Sequence, residues 1–162
     1  MGYMAFVRTP PSTKLPQAMN SLSRSVQTRE KVRKDIWLTA PTTGRLHHRI
    51  ESDRSLVTLN PKGESIEVLE HLFGVRCWIQ EKNGLRFVLA EEGTYKYNTQ
   101  SFQAQDVLLS LYKIPQGILP TRLESYTPFL RGHADSITFS LQSGQPRFEA
   151  FHFQASLGEN DL

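Results

Sequence analysis

Apolar and polar positions change period several times along the chain, and the strongest local signal is Val75–Leu89, VRCWIQEKNGLRFVL. Two runs of strand-forming residues flank Asn83-Gly84 there. A type I′ turn needs positive φ at both central residues, which Asn and Gly reach at least cost. A two-residue turn predicts the register: Lys82 faces Leu85, Gln80 faces Phe87 and Trp78 faces Leu89 on one side. On the other, Glu81 faces Arg86, Ile79 faces Val88 and Cys77 faces Ala90. Large apolar pairs on both faces predict a hairpin covered from both sides, well inside a sheet.

Before this hairpin, Ile36-Trp37-Leu38 is a short apolar run. Arg45–Glu51 and Ser55–Leu59 read as strands joined tightly through Ser52-Asp53-Arg54, and Asn60-Pro61-Lys62-Gly63 is a turn by composition. The period then lengthens. Ile66, Leu69, Leu72 and Phe73 predict a helix over 64–73, with Glu64 and Glu67 in its first turn, Glu70 on its solvated face and Gly74 ending it. After the hairpin, Thr94–Tyr97 predicts a third strand of a meander. Ala104, Val107, Leu108, Leu111 and Tyr112 share a helical stripe that predicts a second helix over 102–113.

Residues 114–135 hold three prolines and two glycines and no steady period, yet they carry several large apolar groups. They predict irregular backbone packed onto the domain, or an interaction surface that includes Ile118, Leu119, Tyr126 and Phe129. The end returns to alternation, with Ile137, Phe139 and Leu141 in one strand and Phe148–Ala155 in another. The turn between them is undecided between Ser143-Gly144 and Gly144-Gln145, and one residue of slip would exchange the faces.

Charge sharpens this picture more than composition does. The chain has 162 residues, enough for one domain with a proper core, and 38% of them are apolar. Net charge is +3, unevenly placed: residues 1–34 hold seven basic groups and one acid, and residues 35–162 hold twelve and fifteen. The basic stretch, broken by Pro10-Pro11 and Pro16, reads as an N-terminal arm. Met19, Leu22 and Val26 allow a short amphipathic helix within it. Such an arm suits a solvated tail, organelle targeting, or contact with an anionic partner through Arg24, Arg29, Lys31, Arg33 and Lys34. An acidic membrane surface would attract the same cations. No apolar run reaches the roughly eighteen residues of a membrane span. Cys77 is the only cysteine, so no intramolecular disulfide forms, which points to a reducing, intracellular compartment.

Candidate chemistry is sparse. His47 and His48 are adjacent, and on a strand they point to opposite faces. His133 and Asp135, joined by His152, form the one combination that suggests a hydrolytic or metal site, and they lack the fuller ligand motifs. No serine elbow or phosphate loop is present, and Cys77 reads as a small buried apolar residue. No catalytic residue, metal or cofactor is therefore assigned. Tyr95, Tyr97 and Trp78 beside Arg76, Arg86 and Lys96 offer stacking surfaces, or simply cross-strand core pairs.

These readings predict an α+β domain over residues 35–162 behind a basic arm of residues 1–34. The domain is mainly an antiparallel sheet with two helices. The function expected is that of a non-enzymatic structural, assembly or adaptor protein. Its arm would engage nucleic acid or an acidic membrane surface, and its β-rich domain would self-associate or dock in a larger complex. That design is shared, by analogy alone, with virion matrix and coat proteins. The alternative is a small hydrolase or metal-dependent enzyme at His133, Asp135 and His152.

Overall fold

A computed structural model describes residues 24–40, 44–115, 119–120, 122–140 and 147–156. They form eight strands: β1 (Arg24–Ala40), β2 (Gly44–Lys62), β3 (Ser65–Gln80), β4 (Leu85–Lys96), β5 (Ser101–Tyr112), β6 (Leu130–Ser140), β7 (Arg147–Phe151) and β8 (Gln154–Ser156). All belong to one antiparallel sheet in which β1 to β7 pair in sequence order and β8 extends the edge of β6. Among the described residues there is no helix, so the class is all-β and not α+β.

The sheet curls around its inward face. Ile36 and Leu38 of β1 pack on the same core as Phe148 and Ala150 of β7. The His48 ring meets Phe139 edge-on at 5.1 Å, and the Arg86 guanidinium lies 4.5 Å over Phe148. Leu72, Val88, Phe102, Val107, Ala134 and Ile137 are essentially sealed from solvent within this core.

Strands β1 to β6 change phase at the same level. Pairing runs Glu30↔Arg54 and then Val32↔Ser52; the same one-residue gap recurs between β2 and β3, β3 and β4, and β5 and β6, and between β4 and β5 the pairing is interrupted from Leu89↔Leu108 to Gly93↔Ala104. The residues on this line are Lys31, Asp53, Gly74, Glu91, Asp106, Asp135 and, just past β7, His152. On alternate strands they take a left-handed backbone: Lys31, Gly74, Asp106 and His152 have φ of 51°, 70°, 54° and 56°. The line is a crease. Inward residues on either side of it are three apart instead of two: Ser52 and Ser55, Leu72 and Val75, Ala104 and Val107, Ala134 and Ile137, all buried.

The crease explains why β5 resembles a helix in sequence. In β5 the inward set Phe102, Ala104, Val107 and Leu109 is spaced two, three, two, while Leu108 faces outward at 55% exposure. Combining both faces around the three-residue step produces the i, i+3, i+4, i+7 stripe of Ala104, Val107, Leu108 and Leu111 that predicts a helix over 102–113. In β3 the stripe expected over 64–73 mixes two faces without reaching the crease: Ile66 and Leu72 share the side of the buried Glu70, and Leu69 and Phe73 lie on the other. Gly74, expected to end that helix, instead continues the strand through the crease. Likewise Asp53 lies on the crease within one 19-residue strand and does not mark a turn between two.

The central hairpin is present with a different register. Gln80 pairs with Leu85, Trp78 with Phe87, Ile79 with Arg86 and Cys77 with Val88. The connection is Glu81–Gly84, closed by the Glu81 N–H donating to the Gly84 carbonyl at 2.8 Å. Each residue slips by two against its partner, so no side chain changes face. Both faces are covered: Cys77 and Val88 lie in the main core, and Trp78 and Leu85 form a second cluster with Tyr112 and Ile114. Leu119 and Leu123 complete that cluster. The backbone before β6 is irregular, and β6 begins at Leu130, inside the stretch expected to lack regular structure. Tyr126 and Phe129 are 37% and 47% exposed, and Ile118 lies outside the described residues.

The crease yields a stability prediction at Gly74. A Cβ built there collides with the Asp53 carboxylate, and the positive φ of Gly74 disfavours any L side chain. Gly74→Ala is expected to lower unfolding free energy by about 1–3 kcal/mol. Urea denaturation measures it, and Asp53→Ala in the same chain should restore the steric share of the loss only.

Candidate binding surface

The basic residues of β1 divide by face: alternation sends successive side chains to opposite sides, and the phase change at Lys31 brings Arg29 and Lys34 to the same one. Arg29 and Lys34 turn inward to Glu70 of β3, which is fully buried. Arg29 Nη2 donates to Glu70 Oε2 at 2.9 Å, and Lys34 Nζ lies 2.7 Å from Oε1. Tyr97 Oη donates to Oε1 at 2.6 Å, and Ser55 Oγ donates to Oε2 at 2.5 Å. Lys34 also lies over the rings of Tyr95 and Tyr97. Burial alone would raise the Glu70 pKa. The donors from Lys34, Ser55 and Tyr97, with the charge of Lys34, outweigh it and hold the carboxyl at about 2. One carboxylate thus ties together three consecutive strands and the turn that follows β4.

On the outer face a second ladder runs from the β1–β2 turn toward the crease. Trp37 is 53% exposed, with the His47 ring stacked on it at 4.0 Å and the Arg45 guanidinium 4.2 Å from its centre. His47 Nε2 lies 2.7 Å from Asp35 Oδ1, Arg49 Nε donates to the same oxygen at 2.9 Å, and Arg33 Nε donates to Asp35 Oδ2 at 2.8 Å. Desolvation pushes the Asp35 pKa up, and the bonds from Arg49, His47 and Arg33 override it, leaving the carboxyl far below the usual range. The ladder continues through Arg49–Glu51, Arg76–Glu51 and Arg76–Asp53. Around Trp37 it gathers three guanidinium groups, those of Arg33 and Arg49 bonded to Asp35 and that of Arg45 over the ring, on the first two strands of the sheet.

Of the five cations expected to meet an anionic partner, Lys31 and Arg33 are exposed, Arg29 and Lys34 serve Glu70, and Arg24 begins β1. Residues 24–34 are therefore part of the sheet, while residues 1–23 of the expected arm lie outside the described residues. The Trp37, Arg45 and His47 cluster was missed by sequence reasoning, although Arg45, His47 and Arg49 alternate and so share one face of a strand. Glu70 carried no such signal, because its partners come from two other strands and the turn after β4.

The three residues of the alternative enzyme reading split into two exposed pairs. His152 Nδ1 lies 2.8 Å from Asp135 Oδ2, while His133 Nε2 sits 3.5 Å from Asp106. Side-chain exposure there ranges from 46% to 87%, and no group of three metal-binding side chains forms among the described residues. Cys77 is buried, and burial drives its thiol pKa upward against a smaller opposing effect of Arg76. No helix among the described residues is long and apolar enough to cross a membrane. Comparison with protein-family models, with curated proteins and with solved structures finds no match.

His48 is the buried titratable group opposite this surface. Its Nδ1 accepts the Gln80 N–H at 2.9 Å, and Nε2 is buried with no hydrogen-bond partner among the described residues. Burial, with a smaller contribution from the neighbouring His47, lowers its pKa to about 4.

Two acid transitions follow from these shifts. The unfolded chain takes up a proton on His48 before the fold does, so stability is complete above pH ~6.5. It declines by on the order of 3 kcal/mol as pH falls toward 4. Glu70 contributes stability above its unfolded pKa near 4.5, and that share is lost as pH falls through 2. Chemical denaturation across pH should show His48→Gln flattening the upper stage only. Glu70→Gln, which strands two cations, should cost about 3–5 kcal/mol already at pH 7.

Proposed function

We propose that the protein is a non-enzymatic assembly or adaptor protein whose cationic first strand engages an anionic partner, nucleic acid in the first place. The observation that carries this reading is the exposed Trp37 beside Arg45, with Arg33 along the same outer face of the edge strand. Guanidinium groups neutralise phosphate, and an aromatic ring beside them offers a flat contact for a base. A folded strand also fixes these groups in advance, which reduces the ordering entropy lost on binding. The charge of residues 1–23, Arg8 and Lys14 without an acid, adds to the same potential. Tyr126 and Phe129 supply exposed rings for docking in a larger complex. The hydrolase alternative draws no support from His133, Asp135 and His152, whose exposed pairs lack a cavity that would exclude water.

Fluorescence anisotropy with labelled single-stranded and duplex oligonucleotides tests the reading. Binding should weaken steeply with salt, and Trp37→Ala with Arg45→Ala should reduce affinity about tenfold or more. Equal affinity in wild type and double variant would sink the proposal for this face. Binding to vesicles rich in anionic lipid, with none to oligonucleotides, would assign the same cations to a membrane surface.

A further inference from the structure

The crease creates a second surface, on the outer side of β3–β6. A trough of about 990 Å³ follows it, open to solvent along its length. Leu89 and Leu108, paired across β4 and β5, lie in the trough at 40% and 55% exposure. Glu91, Glu92 and Asp106 line it as well. Glu91 and Glu92 make no ion pair or side-chain hydrogen bond among the described residues, and Asp106 has only the exposed His133 at 3.5 Å. Arg76, the one arginine in the lining, is already committed to Glu51 and Asp53 on the β2 side.

This surface has the opposite sign to the face around Trp37. Its carboxylates lie on adjacent strands at one level, because Glu91 and Asp106 both belong to the crease. Strands are spaced about 4.8 Å apart, so a trough spanning β3 to β6 is roughly 15 Å long, the length of four or five residues of extended chain. No strand edge is available in mid-sheet, so recognition there falls to side chains and not to added backbone pairing. Uncompensated carboxylates call for cations, and the paired leucines call for an aliphatic group between them. The geometry points to this trough as a docking groove for an extended, lysine- or arginine-bearing segment of a partner protein with an aliphatic residue among its basic ones. A phosphate backbone has the wrong sign for it.

Anisotropy with a fluorescein-labelled peptide of alternating lysine and leucine tests the groove on the full chain. Wild type should bind it, more weakly as salt rises from about 0.05 M to about 0.5 M. It should reject the same peptide with glutamate in place of lysine. Glu91→Lys with Glu92→Lys should lower affinity about tenfold or more, by removing two attractions and adding two repulsions. Both sites are exposed, and an unchanged melting temperature confirms the fold; Leu108→Ser then reports the apolar share through a loss of about threefold or more. Peptide affinity unaffected by these substitutions would overturn the proposal. So would a change in oligomeric state of the peptide-free double variant by light scattering, which would give the groove to a second copy of this chain.

Discussion

The structure depends on one constraint: where one strand of a half-buried sheet shifts phase, all of its neighbours must shift with it. A shift confined to a single strand would send half of its inward residues to solvent. Here six strands step together along the line Lys31, Asp53, Gly74, Glu91, Asp106 and Asp135, which His152 continues just past β7, and the inward face stays apolar on both sides. The step also allows strands of 16 to 19 residues, long beside the usual five or six, to bend around a single core. Left-handed backbone on alternate strands makes the bend, and an acidic or glycine position answers it on most of the line.

Glu70 and Asp35 deal with a consequence of that architecture. β1 is an edge strand rich in cations, and such charges discourage unwanted pairing with other chains. They also repel one another, and each face of β1 answers with a carboxylate: Glu70 inside for Arg29 and Lys34, Asp35 outside for Arg33 and Arg49. Part of the basic character that suggests a binding arm is therefore internal fastening. What remains outward, around Trp37 and Arg45, is smaller and more rigid than an arm. The charge asymmetry along the chain becomes a separation of surfaces, with cations on the outer face of β1–β2 and uncompensated carboxylates over β4–β5.

Period-two alternation around Asn83-Gly84 determined by itself that a hairpin lies at the centre and that both of its faces are covered, because face assignment survives a slip of two residues. Sequence also determined the burial of Cys77. It did not determine the class. A helix over 102–113 is expected because a strand stepping through the crease places apolar residues at helical spacing, and one over 64–73 because β3 carries apolar residues on both of its faces. Glu70 looked like a solvated helix residue for the same reason. Only the tertiary structure decided these points, since the crease is a property of six strands in register. The partners that make Glu70 a buried carboxylate, Arg29, Lys34, Ser55 and Tyr97, come together only when that register is set.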